Sequence, residues 1–392
     1  MVQRVILHIG SHKTGSTSIQ SALKHYDDGT TCYADLGGAN HSAPLFTAFS
    51  EHKYGYHICT QQGLSREQID QRAQQALTGL HHQLERPDRH TLILSGEDLS
   101  LLEPTGVDAL LRTLRGPGRD LLVICYVRHP LSYATSVCQQ LIKGGADQLP
   151  ELFSPAYRQR LEAYRNRLDP QELTVRCFDR QHLHEGCVVA DFCQVIGLPS
   201  DTLTIRSRNE SLPGPAIHAL YQLNRSGLLQ FGDRPLLQAR HHLLQVLKQV
   251  FAGDPPLSRD LLRPHADYDD CDFLQEHFGI LFTPTPCLDP PPAATLHQWL
   301  DQSDLNAEAR LQQWLEHTTG LNGTYHQPGG VLQRVFYLCV HSAMLAVHRD
   351  ALRSMARKSA AGEVLSPSES QTLRQLARQA RPGSPAPPGH PR

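Results

Sequence analysis

A chain of 392 residues with 37 Lys+Arg against 39 Asp+Glu carries a formal charge of −2. It is long enough to bury a large core in one or two domains, and its balanced charge argues against a bulk nucleic-acid binder or a polybasic membrane-surface protein. No apolar run approaches the ~18 residues of a membrane-spanning helix, so no membrane insertion is expected.

The first predicted element is a β-branched strand, residues 5–9, that enters the loop Gly10-Ser11-His12-Lys13-Thr14-Gly15-Ser16-Thr17 and leaves it as a helix over 18–25. Strand, glycine-bounded loop and helix in that order aim backbone N–H groups and a helix N-terminus at an anion the size of a phosphate. The spacing from Gly10 to Gly15 fits the Walker A pattern, but Ser16 stands where that pattern needs its lysine, and the loop's only lysine, Lys13, comes three residues early. A phosphate cradle with a displaced lysine points to a donor other than ATP. Because the chain opens directly on this strand, no leader with a charged and an apolar region fits before it, and a cytoplasmic location is expected.

Further along, helical periodicity predicts helices over 66–84, 107–114, 131–142, 155–167 and 188–196, with short apolar strands at 91–94, 121–126 and 173–177. Strands alternating with helices imply right-handed βαβ units, and hence an α/β fold with a three-layer parallel sheet. Ligands of such sheets sit at the carboxyl ends of the strands, and polar residues cluster in those places. The strand at 91–94 runs into Ser95-Gly96-Glu97-Asp98, a carboxylate pair able to take a proton from an attacking hydroxyl. The same residues also suit a helix start, with Ser95 or Asp98 as cap and Glu97 as first-turn charge. The strand at 121–126 delivers Arg128, followed by His129 and Pro130, the last suited to the first turn of the next helix. Ser136 lies two helical turns beyond Arg128, so the guanidinium fork and that hydroxyl are placed to grip one phosphate from two sides.

Paired in this way, the two elements resemble those of sulfotransferases that use 3′-phosphoadenosine 5′-phosphosulfate (PAPS), of the bacterial and carbohydrate type. The 5′-phosphosulfate loop of that family is similar to His12-Lys13-Thr14-Gly15-Ser16-Thr17-Ser18. Its 3′-phosphate motif is similar to Tyr126-Val127-Arg128-His129-Pro130 with a serine eight residues past the arginine, here Ser136. The likeness continues through the strand at 173–178, Asp191-Phe192 and Ile196-Gly197-Leu198, covering residues 1–212. His129 is a departure, since many members carry aspartate there. The resemblance implies PAPS as co-substrate, adenosine 3′,5′-bisphosphate as product and no metal requirement. Lys13 would contact the oxygen bridging sulfur and phosphorus, and His12, Thr14, Gly15, Ser16 and Thr17 would line the 5′-phosphate site. Arg128 and Ser136 would hold the 3′-phosphate. Glu97, 31 positions before Arg128, matches the family's general base, with Asp98, His12 and His129 as neighbouring alternatives. The acceptor implied is a small-molecule or carbohydrate hydroxyl.

Two other readings stand beside this one. A P-loop kinase or NTPase conflicts with Ser16 and with the absence of a Walker B strand ending in an aspartate. A nucleotide-binding protein without activity has no use for Lys13 and Glu97 together.

Beyond residue 213 helices are predicted at 217–224, 235–251, 307–317 and 331–355, between proline-rich breaks. The expected organisation is a PAPS-binding core at 1–212, a helical region at 213–357 forming a possible acceptor-site wall, and a polar, largely disordered tail at 358–392. The acceptor pocket is expected near loops at 40–56 and 141–153, where no substrate code is legible. Arg206 and Arg208 offer extra positive charge. Ten scattered cysteines without a C-x-x-C pair read as reduced core thiols, and the group His182, His184, Cys187, Asp191 and Cys193 matches no zinc spacing.

Overall fold

A computed structural model describes residues 1–200, 203, 211–226, 234–284, 295–319, 330–340, 342, 358 and 366. The chain forms two units, one of Met1–Leu212 with Pro256–Trp299 and the other of Pro213–Pro255 with Leu300–Arg392. Part of the stretch 213–357 thus belongs to the same unit as the N-terminal core.

In the first unit five parallel strands, β1 (Arg4–His8), β2 (Thr31–Tyr33), β3 (Thr91–Ser95), β4 (Asp120–Val127) and β5 (Leu173–Cys177), lie in the order β2-β3-β1-β4-β5. Register places His8 beside Ser95 and Ile124, so β1, β3 and β4 release their chains at one edge. The helices are α1 (Ser16–Leu23), α2 (Ser42–Phe49), α3 (His57–Gln61), α4 (Arg66–Leu84), α5 (Pro104–Leu114), α6 (Pro130–Gly144), α7 (Tyr157–Arg165) and α8 (Val188–Ile196).

Alternation along the strands sends side chains to two separate cores, as a sheet covered on both faces requires. Val5, Leu7, Leu92, Leu94, Val123 and Cys125 pack on one side with Leu45, Leu80, Leu110 and Tyr164 from α2, α4, α5 and α7. Ile6, Ile93, Ile124 and Tyr126 pack on the other with Ile19 and Leu23 of α1 and Phe192 of α8. The α/β class with a three-layer parallel sheet is therefore the observed architecture. Local sequence fixes the ends of several helices. Ser65 and Gln68 form a reciprocal capping box at the start of α4, Pro104 and Pro130 open α5 and α6, and Gly145 and Gly197 close α6 and α8 in the left-handed conformation.

Two elements differ from the sequence reading. β2 spans three residues, too few to show a period. The segment expected as a loop at 40–56 carries the helix α2 over 42–49, whose Pro44 falls in the first turn, where a missing N–H costs little.

The first unit regains the chain at Pro256 and continues into the helix α11 (Cys271–Phe278). Phe273, Leu274 and Phe282 join the same core as Val5 and Leu94. The described elements of the second unit are helical: α9 (Gly214–Arg225), α10 (Arg234–Val250), α13 (Leu305–Thr319) and residues 330–340. Between α11 and α13, α12 (Leu296–Asp301) crosses from one unit to the other. Within the second unit Arg310 pairs with Asp254 at 2.5 Å and lies 4.8 Å over the Phe251 ring. Arg206, Arg208 and nearly all of the 358–392 tail lie outside the described residues.

Candidate active site

The loop between β1 and α1 is shaped by its backbone. Gly10 and Gly15 adopt φ +52° and +83°, and Lys13 is one of few non-glycine residues at positive φ, +69°. That turn leaves no room for a side chain at either glycine. A Cβ on Gly10 would come within 2.7 Å of Ser16 Oγ and 3.2 Å of Glu97 Cβ, and one on Gly15 within 2.8 Å of Val188 and 2.9 Å of Phe178. Gly15 caps α1 without a side-chain acceptor, so the amides of Ser16 and Thr17 are among the first helical donors, which have no intrahelical partner. Ser16 is buried, and its hydroxyl lies beside the Glu97 carboxylate, whose pKa it helps to hold down. Helix-start amides without intrahelical partners inside a glycine-walled cradle fit an anion supplied from outside. Thr17 is exposed at the same helix start.

The Thr14 side chain turns inward. It is buried, and its hydroxyl donates to the Ser11 carbonyl at 2.5 Å, so that hydroxyl braces the loop and only its amide remains for a ligand. Ser11 in turn donates to the Tyr126 carbonyl at 2.8 Å, tying the loop to the end of β4.

Arg128 leaves β4 next to this loop. Its Nη1 donates to the Lys13 carbonyl at 2.9 Å, and its guanidinium lies 5.4 Å over the Phe178 ring. The Tyr157 hydroxyl accepts from the Arg128 amide at 3.0 Å and donates to the Arg128 carbonyl. Sequence reasoning missed Tyr157, Phe178 and Arg259. The charge of Arg259 reaches both Arg128 and His129 and helps, after burial, to pull each of their pKa values down. Added positive charge at this point therefore comes from Arg259, far along the chain. Ser136 sits half-buried on α6, with no direct bond to Arg128 among the described residues.

His129 is a bracket between segments rather than a solvated loop residue. Its Nδ1 accepts from the Leu131 amide at 3.3 Å and its Nε2 donates to the Thr283 carbonyl at 3.1 Å. The ring stands edge-on to Tyr268 and Phe282. Both nitrogens are committed, and burial holds its pKa below the usual histidine value.

The carboxylate pair separates into two environments. Asp98 Oδ1 meets His12 Nε2 at 2.7 Å and its Oδ2 accepts from the Tyr56 hydroxyl at 2.5 Å, while its amide donates to Ser42 Oγ. Burial alone would raise Asp98, but the His12 and Tyr56 hydrogen bonds outweigh it and hold the carboxyl below its ordinary range. In place of such donors Glu97 has only the weaker pull of the Ser16 hydroxyl. Burial pushes its pKa up and Asp98 adds to the rise, while the charges of His12 and Lys13 only partly oppose it. Lys13 is half-buried, makes no ion pair among the described residues and has a pKa lowered by burial and by Arg128, against the pull of Glu97. The approach of this turn to α2 is close: a Cβ on Gly96 would lie 2.8 Å from the Ser42 amide nitrogen.

Lys13, Arg128, His12, Asp98, Glu97 and Ser16 thus share one edge of the sheet. The arrangement offers hydrogen-bond donors, two cations and one carboxylate with a raised pKa, which suits group transfer to a hydroxyl. The group at 182–193 has another role. Asp191 accepts from Arg176 at 2.6 and 2.5 Å, from Tyr126 at 2.8 Å and from the His184 amide at 3.0 Å, clamping β4, β5 and α8 together.

No family model matches the chain, and no curated protein matches it. A solved structure described as "Sulfotransferase Domain from the Curacin Biosynthetic Pathway" is similar to it at 16% identity with a TM-score of 0.28, over 50% of this chain and 74% of that one. A likeness at that level identifies neither a family nor an activity for this chain.

Proposed function

We propose that the protein is a PAPS-dependent sulfotransferase that moves a sulfuryl group to an acceptor hydroxyl, with a small molecule or carbohydrate as acceptor. The observation that carries this reading is the 2.9 Å hydrogen bond from Arg128 to the Lys13 carbonyl. Through it the two anion-holding elements, distant in sequence, adjoin at neighbouring strand ends, as a nucleotide with separated phosphates requires.

The amides of Thr14, Gly15, Ser16 and Thr17, with the buried Ser16 hydroxyl, hold the 5′-phosphate, and His12 stands at the rim of that site on its Asp98 anchor. Arg128 and Ser136 hold the 3′-phosphate, with Phe178 beneath the guanidinium and Arg259 adding charge. The donor supplies an activated sulfuryl group on a phosphate leaving group. Transfer of this kind passes through a loose transition state, so positioning and charge neutralisation dominate the catalysis. Lys13 neutralises charge that grows on the leaving oxygen and therefore stabilises the transition state more than the ground state. Glu97 takes the acceptor's proton: its pKa is raised and its oxygens are not committed as those of Asp98 are.

Calorimetric titration tests the nucleotide assignment. Adenosine 3′,5′-bisphosphate should bind without a metal and more tightly than ATP with Mg²⁺, and Arg128→Ala should weaken it strongly. Preference for ATP–Mg²⁺, or unchanged bisphosphate affinity in Arg128→Ala, overturns the assignment. Mass spectrometry of hydroxylated acceptors incubated with PAPS then separates an enzyme from a binding protein.

A further inference from the structure

A second polar cluster lies in the first unit, on residues that the transfer reaction does not use. His265, buried at 8% exposure, His297 and Glu151 each present a ligand atom, and the three atoms lie within 4.8 Å of one another. The two imidazole centroids are 5.5 Å apart with their planes at 79°. Two histidines bound to one ion at metal–nitrogen distances of about 2.0–2.1 Å in tetrahedral geometry place their rings roughly 5 Å apart.

The protonation pattern favours a cation. His265 Nδ1 contacts the Glu151 backbone carbonyl at 2.7 Å. A carbonyl only accepts, so the proton is on Nδ1 and the Nε2 lone pair is free. Histidines that bind metals are held in this way, with the second ring N–H on a carbonyl or carboxylate that fixes tautomer and orientation. His297 Nε2 is buried and has no hydrogen-bond partner among the described residues. It enters the cluster from α12, whose start is fixed by a reciprocal Thr295–Gln298 cap. The backbone around His265 is fixed as well: the Phe153 amide donates to the His265 carbonyl at 2.8 Å, and Phe153 pairs with Ala266 in a parallel bridge. One imidazole fixed as an acceptor and a second with an unpartnered buried nitrogen, beside a carboxylate, make a built donor set.

We propose that His265, His297 and Glu151 form a binding site for a first-row divalent cation of the zinc class. Two imidazole nitrogens and one carboxylate oxygen suit such an ion and do not suit Mg²⁺ or Ca²⁺, which take oxygen ligands. Three protein ligands leave the fourth position to water. The ion ties 151–153 to 265–266 and 297, bracing the segment that carries Tyr268 and Phe282 against His129. The site is independent of the sulfotransferase reading and stands or falls without it.

The test uses the full chain, stripped with a chelator and titrated with Zn²⁺ by calorimetry and with Co²⁺ by visible absorption. One equivalent of Zn²⁺ should bind, the thermal midpoint should rise, and the Co²⁺ bands should intensify as the ion leaves octahedral water. His297→Ala removes a ring nitrogen that has no hydrogen-bond partner among the described residues, and circular dichroism verifies that the variant keeps the fold. Zn²⁺ affinity in that variant should fall by at least the ten- to hundredfold that loss of an outer-shell partner alone produces. Glu151→Gln should also weaken binding, whereas His184→Gln should bind as the parent does. Absence of saturable Zn²⁺ uptake, or equal affinity in His297→Ala and the parent, overturns the proposal.

Discussion

Glu97 and Asp98 are neighbours in the chain with opposite electrostatic fates. His12 and Tyr56 take both oxygens of Asp98 and stabilise its charge, whereas Glu97 is half-buried with no donors to match these. Glu97→Gln should abolish transfer while leaving affinity for adenosine 3′,5′-bisphosphate within a few-fold of the parent, a split that calorimetry and a turnover assay measure together. Because the Glu97 pKa lies above the ordinary 4.5, the acid limb of kcat/KM should fall as pH drops through that raised value. A limb at or below 4.5 would move the base to another residue. Lys13→Ala should cost on the order of 3 kcal/mol in the transition state, a hundredfold or more in kcat, with a modest effect on nucleotide affinity. Near-parental turnover in that variant would remove Lys13 from the leaving oxygen.

At the scale of elements, the carboxyl ends of β1 and β3 are joined through histidines that burial keeps neutral. His8 is wholly buried, contacts Ser95 Oγ at 2.8 Å and has its pKa lowered to about 3. His41, at the start of α2, accepts from the Ser95 amide at 3.1 Å and is lowered to about 4. Both folded values lie below the 6.5 of a free histidine, so the unfolded chain binds protons that the folded one refuses. Their contribution is therefore complete above pH 6.5 and shrinks as the pH falls from there toward the folded values. Each histidine should cost about 1.4 kcal/mol of stability per pH unit within that window. Urea midpoints measured at pH 7.5 and 5.0 should show the loss, and equal midpoints would mean that the two rings are not held neutral by burial. The sequence shows the strand ends but not this link, because α2 carries no helical period strong enough to reveal what it packs against.

On the scale of the whole molecule, the first unit is discontinuous. Phe273, Leu274 and Phe282 are buried in the core that contains Val5 and Leu94, and each contributes roughly 1.5–3 kcal/mol by burial. The Thr283 carbonyl also holds His129 beside Arg128. A fragment ending at Leu212 should therefore expose apolar surface, bind a hydrophobic dye and melt well below the full chain. A fragment that melts with the parent would show that 256–299 adds nothing to that core. Among the described residues no helix is long and apolar enough to cross a membrane.

Sequence alone determined the parts whose signal is local. Four of the five strands, α4 and α8 to the residue, and the positions of Lys13, Glu97 and Arg128 at strand ends all follow from apolar periodicity, caps and glycine placement within short windows. Tertiary structure alone decided what those residues meet. The Thr14 hydroxyl turns inward, His129 becomes a bracket, Asp98 is claimed by Tyr56, and Tyr157 and Arg259 reach Arg128 from distant segments. Such pairings depend on which strand ends lie side by side, and the crossover order β2-β3-β1-β4-β5 sets that order while no short stretch of chain encodes it.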